Sequence, residues 1–473
     1  MNRPRLAALL SVIFVVVAGC AAPAVNPDAT ADTEGDWSWP DDPPTDRLGW
    51  EGGYWYNESI DVNQSDGLNA TERAAFVNRT MARVEVIREL EFTDTVPIEV
   101  ISRAEYRNQS QFDTNPDNES AVIHSDWNDQ VWESILLVGE DRTIDEVFGE
   151  IYGGAVLGYY SPSEDRIVLI SDEGDPVVDR QTLAHELHHA LQDQQFGIDG
   201  SPPTQDRQLA ENGLVEGDAR YVDRLYEERC ADDWECVPRP SGSGSGSIGG
   251  SFDYPVFLTI YTPYSEGPTF VSELRERGGW AAVNDAYAMP PVSTEQIIHP
   301  ETYPDEQPVE VRIEDRSSDE WVRYDHDPVG DTVGEASIYA MLWKHGAIDR
   351  TDLNRNTGQY SAYNYSAGPS KGWAGDLVVP YRPASDDEWE TNPNQRAYVW
   401  RIVWDSEADA EVFETKYVTT ILQLRLGAKR VAPNTYLLET GPFADAYRVT
   451  RQNDTVTIVN APTVDALAEV HPE

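Results

Sequence analysis

The stretch LAHELHHALQDQQFG, Leu183 to Gly197, sets three of the chain's eight histidines within five positions of one another. Ala184, Leu187 and Leu191 recur at the spacing of one helical face, so the segment reads as a helix with a side to bury. His185 and His189, four positions apart, leave such a helix in the same direction. Their imidazoles can then occupy two corners of a metal tetrahedron, while Glu186, beside the first histidine, reaches a water on the metal. His188 is turned away from the pair by helical geometry and reads as a surface or supporting residue. Two imidazoles, one carboxylate and a water suit Zn2+ best.

The third ligand must come from elsewhere. In the metzincin pattern it is a histidine six positions beyond the second, after a glycine at three, but here those positions hold Gln195 and Gln192. A second helix, read from about Asp206 to Glu228, offers Glu211, Glu216, Asp218 and Asp223. Asp218 and Asp223 also suit a supporting role, as acceptors that orient imidazole N–H groups. Within NGLVEGDARY, the order of apolar residue, Glu216-Gly217, small residue and aromatic resembles the third-ligand helix of the gluzincin zinc peptidases, where a Glu-Gly step follows H-E-x-x-H on the next helix. That resemblance, covering about Glu150 to Tyr226, selects Glu216, and Gly217 suits a place where two helices approach closely.

The same resemblance implies a mechanism and a partner. Zinc activates water, Glu186 takes its proton as general base, and a peptide or protein substrate is hydrolysed. Charge developing on the scissile carbonyl needs a donor, for which Tyr264, His299 and Tyr221 are candidates. A second class of function remains beside this one: a surface binding or structural protein that keeps the scaffold without turnover.

Arg3 and Arg5 precede an apolar run, Leu6 to Val17, that closes in Val17-Ala18-Gly19-Cys20. This is the layout of a secretory signal, too short to span a bilayer, and its end resembles a lipobox in which Cys20 is lipidated. The expectation is a signal peptide over 1–19, then a flexible lipid-anchored stalk over 20–47, with the membrane met only through that lipid and the chain on the outer face of the cytoplasmic membrane. Cys230 and Cys236 remain, and in an oxidising exterior they close a small disulfide loop. Eight Asn-X-Ser/Thr sites, from Asn57 to Asn453, are compatible with a glycoprotein.

Acidic residues number 84 against 35 basic, a formal net charge of -49 spread along the whole chain. That much like charge repels itself in dilute buffer but is screened in molar salt, where the Debye length is roughly 3 Å, as on a halophile's surface. A polyanion would be repelled, which excludes nucleic acid as a partner. Across its length the chain also resembles an uncharacterised family of haloarchaeal surface lipoproteins, through DRLGWEGGYW, MARVEVIREL, HELHHALQDQQF, PPVSTEQIIHPETY and GWAGD. The oligomeric state is not readable from these features.

The fold class expected is α+β: a zincin-like domain over 48–315, with a twisted mixed sheet, the histidine helix and a helical lower lobe, followed by a smaller α+β region over 316–473. Its parts are a helix over Asn69–Leu90, strands at VPIEVIS (96–102) and SILLVG (134–139), and a strand pair in GAVLGYYSPSEDRIVLIS (154–171). The histidine helix should start at Asp175-Pro176 and stop at Gly197. A Gly/Ser-rich loop (240–251), a helical stretch from Pro268 to Tyr287, a strand VEVRI near Val309, an amphipathic segment DSEADAEVFETKYVTTILQLRL and the hairpin-like AYRVTRQNDTVTIVN complete it. GWAGD, Gly372 to Asp376, reads as a turn.

Overall fold

A computed structural model describes residues 13–16, 43, 45–108, 119–171, 177–198, 200–240, 252–355, 357–366, 368–385 and 395–473. Cys20, the Gly/Ser stretch from 241 on, Asp175-Pro176 and nearly all of the expected signal peptide and stalk lie outside those residues. The described chain mixes helix and strand, an α+β composition. It divides into two compact units, one of Met1–Asn108, Gly153–Gly200 and Ala219–Gly249, the other of Gln109–Tyr152, Ser201–Asp218 and Gly250–Glu473. No helix among the described residues is long and apolar enough to cross a membrane.

In the first unit, a four-stranded sheet runs in the order Ile13–Val16, Val156–Ser161, Arg166–Ser171, Ile98–Ser102. It is mixed: Ile98–Ser102 pairs parallel with Arg166–Ser171, and the other pairs are antiparallel. The helix Ala70–Arg88 starts at Asn69, whose side chain accepts from the backbone of Thr71 and Glu72 while the Glu72 carboxylate returns to the Asn69 N–H, a reciprocal cap. This helix and the strands Val156–Ser161 and Arg166–Ser171 pack on the histidine helix, Arg180–Phe196. That helix begins four residues later than the sequence suggested, because Asp179 caps it through Gln181 N and Thr182 N; Gly197 ends it at φ 70°. Cys230 and Cys236 form a disulfide, and inside its loop the Trp234 ring meets the Arg83 guanidinium at 4.7 Å.

The second unit is built on a seven-stranded antiparallel sheet in the order Lys429–Ala432, Thr435–Leu437, Ala446–Gln452, Thr455–Ala461, Ala397–Trp404, Trp373–Pro383, Trp321–Arg323. Both faces are covered, so the central strands are buried at odd and even positions alike. Ala397 and Val399 join a cluster with Leu467 and Val470 of the helix Ala466–Val470. Trp400 and Trp404, on the opposite pleat, pack on Phe413 of the helix Glu407–Thr415. The hairpin expected in AYRVTRQNDTVTIVN is the Ala446–Gln452 and Thr455–Ala461 pair.

Three expected elements differ. SILLVG is not a strand: Ser134 ends the helix Glu119–Ser134, Leu136 turns to φ 52°, and the amides of Leu137 and Val138 bond back to Trp132 O. Ile135 to Val138 are buried, and a short apolar run carries no period that separates a buried strand from a buried turn. VEVRI makes no strand either, although Val309 N donates to Ala374 O at 2.7 Å. Of GWAGD only Gly372 lies in a turn, at φ 88°, and Trp373 to Asp376 start the strand Trp373–Pro383, irregular in register between Trp373 and Gly375. A Cβ on Gly375 would stand 2.5 Å from Val309 O, so the glycine that looked like a turn signal admits a neighbouring backbone.

Candidate functional site

His185 and His189 lie on the histidine helix with their Nε2 atoms 3.0 Å apart and their rings nearly perpendicular, at 88°. Two ligands of a tetrahedral cation with metal–nitrogen bonds of 2.0–2.1 Å stand about 3.3 Å apart, close to this spacing. The far side of each ring is committed. His185 Nδ1 lies 3.2 Å from Asp223 Oδ2, and His189 Nδ1 lies 2.7 Å from Gln192 Oε1. Both partners are acceptor atoms, so each Nδ1 carries the proton and each Nε2 presents a lone pair. A proton or a metal cation between the two Nε2 atoms would satisfy both.

Asp223 stands on the unbroken helix Gln205–Asp232, which also carries Glu216 seven positions earlier on the same side. The ligand atoms of His185, His189 and Glu216 all lie within 4.8 Å of one another, and all three residues are buried. Glu186 is fully buried beside His185. Two imidazoles and a carboxylate are a donor set that could hold a metal ion of the zinc type.

Glu216 is held in turn by the helix Tyr254–Ala288, where the Tyr264 hydroxyl donates to its Oε1 at 2.7 Å. The helices cross at glycines: a Cβ on Gly217 would sit 2.4 Å from the Gly267 carbonyl carbon, and one on Gly267 would sit 2.3 Å from Gly213 O. The close approach expected of Gly217 is thus made to this third helix, and it sets Tyr264, one turn before Gly267, against the carboxylate. Tyr152 also feels Glu216; burial and then that charge push its phenol well above the usual range.

The other candidates have distinct places. Asp223 lies against His185 Nδ1, with Gln181 Nε2 donating to its second oxygen at 3.1 Å. Asp218 is buried and accepts from Tyr287 OH at 2.9 Å. Glu211, a rival for the ligand role, pairs with Arg207 at 2.7 Å. His299 is engaged by Glu335, 3.2 Å away; burial pulls against its charged form, but the Glu335 carboxylate outweighs that and raises its pKa. Tyr221 is buried on the Gln205–Asp232 helix. His188 is fully buried and not on the surface, because the histidine helix is packed on both sides. Sequence reading missed Gln192, Tyr152 and Gly267. Gln192, three positions after His189, carried a usable signal, since that offset places it on the same helical face.

Residues 322–471 match the family described as a domain of unknown function (DUF8575), which covers the C-terminal third of the chain and none of the histidine site. No curated protein and no solved structure matches the chain.

Proposed function

We propose that this chain is a zinc-dependent peptidase of the gluzincin type, on a zincin-like fold, carried on the cell surface by a lipid at Cys20. The observation that supports it best is the convergence of the His185, His189 and Glu216 ligand atoms within 4.8 Å, next to the buried Glu186. Zinc held by that set supplies an acidified water and a polarised scissile carbonyl. Glu186 accepts the proton of the attacking water and delivers it to the departing amine. Asp223 and Gln192 fix the imidazole tautomers so that both Nε2 atoms remain acceptors. Tyr264 donates to one oxygen of Glu216 and so holds the carboxylate in place. Placement outside the cell rests on the Val-Ala-Gly-Cys signal, the acidic surface and the disulfide.

The test compares wild type and Glu186→Gln in high salt for metal content and for cleavage of casein or a peptide library. One zinc per chain in both, with cleavage by wild type alone, supports the peptidase. Bound zinc with no cleavage by either protein favours a surface protein that keeps the scaffold without turnover, and wild type without zinc overturns the reading.

A further inference from the structure

A second group of acids lies in the larger unit, far along the sequence from the histidines. Glu133 lies in the last turn of the helix Glu119–Ser134, Glu140 follows in the loop, and Asp445 precedes the strand Ala446–Gln452. Oxygens of the three lie within 4.8 Å of one another. The backbone is arranged to bring them together: Glu140 N donates to Pro442 O at 2.9 Å, and a Cβ on Gly139 would stand 2.5 Å from that same oxygen, so only glycine lets the two loops dock. Lys344 Nζ and His345 Nε2 bind the carbonyls of Leu137 and Leu136, which fixes the loop between Glu133 and Glu140.

None of the three carboxylates makes an ion pair among the described residues. Gln130 Nε2 reaches Glu133 Oε2 at 2.5 Å, and Asn460 Nδ2 reaches Asp445 Oδ2 at 2.8 Å. The amide oxygens that accompany these donors, Gln130 Oε1 and Asn460 Oδ1, are buried and have no hydrogen-bond partner among the described residues, and neither has Glu133 Oε1. Gln130, Glu133, Asp445 and Asn460 are at most 3% exposed. Shared protons could join the carboxylates to one another. A cation would meet the charges of all three and the orphaned Glu133 Oε1 at once, and an unmet buried acceptor costs about 1–3 kcal/mol.

We propose that Glu133, whose buried Oε1 has no hydrogen-bond partner among the described residues, forms with Glu140 and Asp445 a structural site for a hard divalent cation, calcium in the first place. All the donors are oxygens, the preference of hard cations. Oxygens on a shell of radius 2.3–2.6 Å stand at most about 5 Å apart, the spacing found here. The ion would lock the helix Glu119–Ser134 to the sheet at Asp445, two elements separated by most of the chain. Burial, and then the charges of Asp445 and Glu140, raise the Glu133 carboxyl well above its ordinary value, and burial raises Glu140 to about 7.

The experiment uses the full chain in high salt, stripped with chelator, dialysed, and titrated with calcium or magnesium while calcium content and melting temperature are followed. The expected result is one calcium per chain and a rise in melting temperature of about 5–10 °C at hundredfold excess over Kd. Asp445→Asn and the milder Glu140→Gln should lose the calcium and the rise while keeping the zinc content of wild type, which separates this site from the histidine site. Should Asp445→Asn fail to fold, Glu140→Gln decides. Calcium stoichiometry and melting unchanged by the substitutions, or a wild type whose melting ignores calcium and only falls as pH rises, would overturn the site. A magnesium response equal to that of calcium would overturn the calcium preference.

Discussion

The Tyr264 hydroxyl donates to Glu216 Oε1 at 2.7 Å across a crossing of two helices. A carboxylate that ligates through one oxygen and accepts through the other is fixed in rotation, and such supporting bonds are worth about 10–100-fold in metal affinity. Tyr264→Phe should therefore weaken zinc binding roughly tenfold, read by competition with a chromophoric chelator. The same variant separates two roles for this tyrosine. If it only positions Glu216, saturating zinc restores kcat; if its hydroxyl also stabilises the reacting carbonyl oxygen, kcat stays low with zinc saturating.

Asp223→Asn acts on the other side of the site. The Asp223 carboxylate holds the His185 Nδ1 proton and accepts from Gln181, whereas an amide can turn its NH2 toward the imidazole and favour the wrong tautomer. Zinc affinity should fall by about 10–100-fold with far-UV circular dichroism unchanged. Full zinc affinity in this variant would mean that His185 is oriented by something else.

Gly217→Ala tests the crossing itself. The added methyl would stand 2.4 Å from the Gly267 carbonyl carbon, a backbone atom without the freedom of a side chain, so the helices must separate. Overpacking of this kind costs about 1–3 kcal/mol. The urea midpoint should drop accordingly, and zinc affinity should drop with it because Glu216 is the adjacent residue. Gly279→Ala, at the kink within Tyr254–Ala288 where φ is 67° but the space around is open, should lower stability without touching zinc affinity.

The grouping of His185, His189 and Glu216 was legible because each is encoded by local spacing on helices with clear apolar faces. The place of Asp223 beside His185 was legible for the same reason. Tyr264 could be named only as a distant candidate, since its place against Glu216 depends on where a third helix crosses, and that is set by Gly213, Gly217 and Gly267 together. In the second unit, the hairpin of AYRVTRQNDTVTIVN was plain from its alternation and its Asn453-Asp454 turn. SILLVG and GWAGD misled for opposite reasons. The first is a β-like run that tertiary burial holds as a helix terminus, and the second is a turn-like run whose glycine serves close packing within a strand. Asp376, read there as part of a turn, is a buried hub.

That hub gives a further prediction. Asp376 accepts from Val333 N and Trp400 Nε1 through one oxygen and from Gly334 N and Trp373 Nε1 through the other, at 3.0–3.2 Å. All four are donors, so Asp376→Asn must aim an NH2 at two N–H groups. Loss of about 1–3 kcal/mol is expected, read as a lowered denaturant midpoint with an unchanged m-value. Asp376→Ala should cost at least as much, because it leaves all four donors buried without an acceptor.

Acid stability should carry the signature of His345. Burial holds this imidazole neutral, down to about 4, against the weaker opposing pull of its bond to Leu136 O. In the unfolded chain it titrates near 6.5. Between those values the unfolded state binds the extra proton, so His345 contributes stability above about pH 6.5 that is lost as pH falls toward 4. Asp206 and Asp331, buried and raised to about 7, work in the opposite sense, since they stay protonated in the fold and their contribution fades as pH rises from 4 through 7. Two acids outweigh one imidazole across that window, so the net contribution of these three groups should rise as pH falls from 7 toward 4. His345→Gln keeps a donor for Leu136 O and removes the titration, so the melting curves of variant and wild type should converge as pH falls from 6.5 to 4. A constant separation between the two curves across that window would show that the imidazole takes its proton inside the fold without cost.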